Sequence, residues 1–330
     1  MSHASLLEEI PPPLDPVRGV REALELRRRR PRGRAYPIVR WVAAGLFLVV
    51  IVSLAVSLLI SSSQAFAHSG IGFFWSGTWD PSRHAYGAGV FIVGTLVTTA
   101  VAVLLAVPIG VGTAAFLAEL SPRWIAAPLS VAVDLIAAVP SIVVGLWGLL
   151  VLSPAFGHHV EPFLKTVPGV EWFFHGPALG ADVLLAGVVL SVMIVPTVVA
   201  LSRTAMGAVA REDREAGRAL GGTRWQVVRR VVLPGARTGI EAAVTLAIGR
   251  ALGETIAVAM VIGNRPAIPH SLLAPGATLG SAIINFFAEA NPGLDRSSVV
   301  ALVVTLLAIS ALVNAGGQLL LRSRRRFAAT

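Results

Sequence analysis

The sequence predicts an all-α protein that crosses a membrane six times, on the strength of its composition, six long apolar runs and the placement of its arginines. Of 330 residues, 55% are hydrophobic and 14% charged, with a mean hydropathy of +0.76, too apolar for a soluble domain unless much of the surface meets lipid. No charge appears from Trp41 to Ala67, and a membrane-crossing helix takes about 20 residues, so the first span falls at 41–67. Further apolar runs at 91–117, 125–152, 181–201, 240–262 and 299–321 can each cross about 30 Å of hydrocarbon.

Cytoplasmic flanks of membrane proteins retain an excess of Lys and Arg. With the N-terminus inside, the arginines gather in the tail from Arg18 to Arg40, at Arg123, between Arg203 and Arg237, and at Arg322 to Arg326. The outer loops then hold Arg83, Lys165, Arg265 and Arg296. Both termini are therefore expected in the cytoplasm, and the number of spans is even. Residues 1–40 read as a mobile basic tail with a short surface helix near 17–30, residues 86–321 as a core with five further spans, and 322–330 as a basic C-terminus. Ala65-Phe66-Ala67 has the look of a signal-peptidase site, but the apolar run exceeds the ~7–15 residues of a signal segment, which favours an uncleaved anchor. Two shorter apolar pieces, near 170–174 and 279–287, read as surface or re-entrant parts of outer loops. Pro108, Pro140 and Pro196 are expected to interrupt spans two, three and four; a hydrated pathway and ordinary kinking both explain such breaks.

Composition also excludes chemistries. Cysteine is absent, so the chain has no disulfide, thiolate nucleophile or cysteine metal ligand. Lys165 is the single lysine and follows no glycine-rich loop, so no phosphate-cradling ATPase loop is present and any ATP is hydrolysed by another chain. The net charge of +9 is mostly a topology signal, with attraction to anionic lipid second. His158 and His159 are adjacent, without the i, i+4 spacing of a helical metal pair, and read as a solvated outer loop. Ser281 lacks the Gly-x-Ser-x-Gly turn of a hydrolase. Trp75, Trp79, Trp124 and Trp172 lie near predicted interfaces, where indole rings favour the headgroup level. Arg203 and Glu241, near span ends, are explained by snorkelling to water.

Two segments carry functional information. Between spans four and five, Glu215-Ala216-Gly217-Arg218-Ala219-Leu220-Gly221 is followed nine residues later by Val231-Val232-Leu233-Pro234. Small residues at 216, 217 and 219 give a helix that another protein can approach closely, and Gly221-Gly222 ends it. Thr223 and Gln226 have capping-box spacing for a second helix, and Pro234 marks the turn back into span five. The helical pair at 208–234 either docks on another protein or lies on lipid headgroups; the glycine and Leu-Pro spacings favour docking.

Span five holds Gly249-Arg250-Ala251-Leu252-Gly253-Glu254-Thr255. Arg250 and Glu254 are four apart and would share a helix face as a pair. Each charge at the bilayer centre costs about 2.5–3.5 kcal/mol on insertion scales, so both are expected to face a cavity or a partner subunit. A guanidinium offers parallel donors to a phosphate or carboxylate, and a nearby acid can hold it until an anion competes; a pair that only fixes helix packing is the alternative. Asp134 in span three is either a pathway residue or a hydrogen-bond partner for a neighbouring helix.

The 215–234 segment resembles the EAA loop of ABC-importer membrane subunits, with Gly217 for the second alanine and Val231 for isoleucine. Ile256-Ala257-Val258, the closing Ile262-Gly263-Asn264, and the run from Ala138 to Gly148 are similar to the phosphate-specific ABC importer family and, within it, to the PstC-type subunit. That family often has Glu where Asp134 stands. The likeness runs from about Tyr86 to Leu321. It implies a non-enzymatic permease in a bacterial cell membrane, importing phosphate by alternating access. Arg250, Glu254, Thr255 and Asp134 would line the pathway, with Glu215, Ala216, Gly217, Gly221, Leu233 and Pro234 in ATPase coupling. The implied partners are a PstA-type permease, a PstB-type ATPase dimer and a PstS-type binding protein. The likeness further implies that this chain binds no cofactor, ATP and magnesium belonging to the ATPase. Permeation of molybdate or sulfate and an enzyme acting on phospholipid headgroups are the alternatives to weigh, with a signalling scaffold the third.

Overall fold

The computed structural model describes residues 35–327 apart from 170 and 178; the expected tail helix at 17–30 lies outside the described residues. Among them, six helices are long and apolar enough to cross a membrane, as the sequence predicts.

The chain divides into two units at residue 57. The first contains most of helix α1, Ala35–Ser61, which begins six residues before the expected span and exposes its apolar side chains, Phe47 and Leu46 among them. In the second unit, α2 (Ser63–Ser69) and α3 (Gly72–Trp75) lead to a two-residue hairpin, β1 (Trp79–Asp80) paired antiparallel with β2 (Ala85–Tyr86). There follow α4, Gly89–Leu120, whose last five residues form a π-turn, α5, Arg123–Ala138, and α6, Ser141–Lys165, which contains two further π-turns. Next come α7, Val183–Gly207, α8, Arg211–Ala219, and α9, Arg224–Leu252. The chain closes with α10, Ile256–Val261, α11, Leu279–Phe287, and α12, Leu294–Phe327.

Several sequence expectations need correction. The run at 125–152 is not one span. It breaks at Val139-Pro140, both in extended conformation, because a residue before proline is driven out of the helical region. The crossing helix is α6, while α5, at 16 residues, reaches only roughly 24 Å. Pro108 and Pro196, by contrast, sit inside continuous helices, so proline alone did not decide where the chain breaks. His158 and His159 lie on α6 rather than in a loop, though both are exposed.

Helix α7 is the centre of the second unit and is largely buried. It runs parallel to α4 at close range. A Cβ on Gly187 of α7 would fall 2.4 Å from Val101 Cγ1, and one on Gly110 of α4 would fall 2.7 Å from Val198 Cβ. Around this pair, Ala102, Ala106, Leu190, Ile194, Ala247, Ala251 and Val258 form a continuous apolar core. A second core joins α2, α3 and the hairpin to α11 and α12. Trp79 belongs there and not at a lipid interface. It is buried against Tyr86, Phe91 and Phe286, whereas Trp75, Trp124 and Trp172 are exposed.

Gly187→Ala puts a methyl group into the α4–α7 contact against the β-branched, rotamer-poor Val101, and overpacking of this kind costs about 1–3 kcal/mol. The expected result is a lower thermal midpoint in detergent, with Gly112→Ala, which meets nothing within 4 Å, as the control whose midpoint does not fall.

Candidate functional site

The helix carrying Arg250 ends at Leu252, and Gly253 caps it. Thr255 has φ −122° and ψ −60°, outside helical geometry, and α10 begins only at Ile256. The expected Arg250–Glu254 pair therefore does not form, since the i, i+4 relation holds only along an unbroken helix. Arg250 instead donates from Nη1 to Thr197 Oγ1 on α7 at 3.1 Å, while Glu254 Oε1 accepts from the Ala257 amide at 3.4 Å at the start of α10. The interruption is closely packed: a Cβ on Gly280 of α11 would lie 2.8 Å from Thr255 Cγ2.

Thr197, Ala200 and Thr204 are spaced three and four apart and share one face of α7. A cavity of about 330 Å³ opens on this face, lined by Ala200, Arg203 and Thr204 of α7 and by Ser130 and Asp134 of α5. Arg203 Nη1 donates to Ser130 Oγ at 2.6 Å. Asp134 is exposed in the same cavity. The structure thus joins Asp134 to Arg203, which the sequence explained by snorkelling alone. Arg250, on α9, meets the same helix at Thr197, which lies roughly 10 Å along α7 from Thr204, the rise of seven residues. A face that carries a cation at each end, with the Asp134 carboxylate beside one of them, is unsuited to lipid.

The other segment of interest is α8 with the first turns of α9. Helix α8 ends in a Schellman motif: Gly222 N–H donates to Gly217 C=O at 3.2 Å and Gly221 N–H to Arg218 C=O at 2.9 Å, with Gly221 at φ +80°, a conformation glycine adopts without strain. The predicted capping box is present, Gln226 N–H donating to Thr223 Oγ1 and Thr223 N–H to Gln226 Oε1. Gly217 permits the two helices to touch, a Cβ there lying 3.3 Å from Val227 and Val231. Glu215 is exposed and pairs with Arg211 at 2.7 Å, and Ala216 and Leu220 are exposed as well. A further expectation fails: Pro234 does not turn the chain, because it lies inside α9, which runs without interruption from Arg224 to Leu252. A π-turn at Val228–Val232 precedes the proline, and its wider ring leaves room for a residue without an N–H.

Arg214, which the sequence left without a role, ties α8 to the bundle. Its side chain is 15% exposed, that of Glu119 10%, and Nη2 meets Glu119 Oε1 at 2.8 Å. Nε donates to the same oxygen at 3.1 Å. Nη2 also donates to the Met206 carbonyl at 2.6 Å, which accepts from the Val209 amide as well, and Nη1 donates to the carbonyl of Val209.

The family described as "Binding-protein-dependent transport system inner membrane component" matches residues 106–326. The chain belongs to that family. Relatives include the phosphate transport system permease protein PstC of Haemophilus influenzae, 40% identical over 81% of this chain and 86% of its own. That of Mesorhizobium japonicum is 42% identical over 83% and 85%, and PstC 1 of Mycobacterium tuberculosis 34% over 90% and 96%. These bear out the resemblance read from the sequence. Among solved structures, a bacterial ABC transporter involved in the import of the acidic polysaccharide alginate matches at TM-score 0.57 and 14% identity, over 88% of this chain and 99% of its own. The MetNI methionine ABC transporter in an inward-facing conformation matches at TM-score 0.51 and 21% identity, over 70% and 92%. At such identities the likeness shows the fold.

As a member of that family, the chain carries one polar element its motifs do not point to. Glu161, near the end of α6, and Asp182, the N-cap of α7, are both fully buried. Glu161 Oε1 accepts from the Gly180 amide at 2.8 Å and Asp182 Oδ1 from the Leu185 amide at 2.7 Å. Burial, together with the neighbouring carboxyl of Glu161, pushes the Asp182 carboxyl up to about 7, against the pull of the Leu185 amide. The folded protein therefore holds a proton that the unfolded chain releases near pH 4. Stability falls as pH rises from about 4 to about 7, where the folded group also ionises, and is level above that. Asp182→Asn keeps a capping oxygen and removes the titration. The difference in thermal midpoint between variant and wild type is expected to grow in the variant's favour from pH 4 to pH 7 and then stay constant; a pH-independent difference would contradict the assignment.

Proposed function

We propose that this chain is one of two membrane subunits of an ATP-driven inorganic phosphate importer of a bacterial plasma membrane, forming half of an alternating-access pathway. The similarity to PstC permeases across nearly their whole length carries this reading, and the polar face of α7 agrees with it. Its partners are a second, PstA-type permease, a dimer of PstB-type ATPases that binds ATP and magnesium, and an extracytoplasmic PstS-type phosphate-binding protein. The arginine distribution supports a cytoplasmic position for both termini and for α8.

Phosphate released at the outer side meets Arg250, whose guanidinium is held by one neutral hydrogen bond to Thr197 and so keeps donors free for an oxyanion. Ion pairing with Glu254 would have to be broken first; the helix break removes that cost. Thr197, Ala200 and Thr204 then lead toward Arg203 and Asp134, where a cation bonded to Ser130 and a facing carboxylate favour passage over capture. Few donors give selection for charge while still letting the anion leave. The exposed Glu215, Ala216 and Leu220 of α8, beside a notch of about 440 Å³ lined by Gly221, Gly222 and Arg230, form the surface that an ATPase groove receives.

The test is uptake by the whole assembly in vesicles containing ATP. Phosphate uptake is expected, with little for sulfate or molybdate; transport of sulfate but not phosphate would reject the substrate. Arg250→Ala is expected to leave the complex assembled and to lower uptake at least about tenfold, a loss of roughly 1.4 kcal/mol of interaction in the rate-limiting complex. Normal uptake would remove Arg250 from the pathway.

A further inference from the structure

We infer that Arg214 and Glu119 form the joint through which movement of α8 reaches the transport helices, and that they act as positioning residues for coupling. This rests on the reading that an ATPase drives the chain through α8.

Helix α8 has no buried residue. Its two inward ties are Gly217, in van der Waals contact with Val227 and Val231, and Arg214. The first joins α8 to α9 by dispersion alone, which resists sliding weakly. The second is charge-assisted, nearly buried and multiply bonded, and such bonds are the stronger and the more directional. One guanidinium grips three structures: the terminal π-turn of α4 through Glu119, the last turn of α7 through Met206, and the linker at Val209 that follows. Breaking the grip would leave the nearly buried Glu119 carboxylate without its charged partner, so a shift of α8 is resisted unless the ends of α4 and α7 move with it.

What those ends carry makes the joint consequential. Below it, Ala114, Ala115, Leu117, Val199, Met206, Val227, Val228 and Val232 pack as one apolar cluster, so α4, α7 and the start of α9 respond as a body. Helix α7 also bears Thr197, which holds Arg250, and Arg203 in the cavity. A displacement applied at Arg214 is thereby delivered to the helix whose polar face makes the pathway. Glu119 and Arg214 lie outside the recognised coupling motif and outside the pathway.

Glu119→Gln and Arg214→Gln, in the fully assembled complex in vesicles, give the test, with phosphate uptake and ATP hydrolysis measured on the same vesicles. The expected result is ATP hydrolysis close to wild type and phosphate moved per ATP lowered by about tenfold, within the range of ordinary coupling energies; Glu119→Asp and Arg214→Lys, which keep the charges, are expected to recover part of that ratio. Uptake and hydrolysis falling together at a constant ratio would reduce the pair to a structural tie and overturn the inference, as would an unchanged ratio with full activity. Should the Gln variants fail to assemble, the Asp and Lys variants decide by the same ratio. If wild-type vesicles show no ATP-dependent phosphate uptake at all, the failure lies with the proposed function instead.

Discussion

Hydrocarbon offers a backbone amide nothing to bond, so a chain that crosses it must stay helical or set every interruption against protein or water. The fold obeys that constraint at both of its breaks. Val139-Pro140 separates α5 from α6 before the crossing begins. The break at 253–255 is covered by α11, whose Gly280 lets the backbone come within contact distance. Ending the helix at Leu252 also separates Arg250 from Glu254, which leaves the arginine bonded to a threonine on a neighbouring helix. A packing requirement thereby sets the state of the cation expected to meet substrate.

The sequence made local features legible and left long-range ones hidden. Spans at 37–61, 183–207 and 294–319 follow from uninterrupted apolar runs, and the capping box at Thr223 from two residues three apart. The third span misread its own run because hydropathy is similar on both sides of Pro140, and only the backbone reveals which side is long enough to cross. Pro234 looked like a turn because helix interiors reject proline, but a π-turn just before it absorbs the missing donor. Trp79 was assigned to an interface by its position near a span end, although its neighbours Tyr86 and Phe91, and Phe286 from far along the chain, bury it.

The candidate site divides the same way. Arg250 was visible as a charge where few charges belong, and its partner was not, because Thr197 lies 53 residues away. Arg214 stands 95 residues from Glu119, and no spacing rule joins them; the one available signal was that both sit at span ends on the arginine-rich side. Glu161 and Asp182 are likewise brought together by the turn between α6 and α7. Each of these contacts belongs to helix packing, and the pathway proposed here is the part of that packing left polar.

The central claim is that one face of α7 lines an aqueous route in the assembled transporter. Because the chain lacks cysteine, single cysteines at Thr197, Ala200 and Thr204 can be probed with no other thiol in this chain, with Leu104, an exposed apolar position on α4, as the lipid-facing comparison. A small, charged thiol reagent is expected to modify the three α7 positions rapidly, more slowly when phosphate is present, and to leave the α4 position unmodified. Equal silence at all four, or reaction at Leu104 alone, would contradict the account.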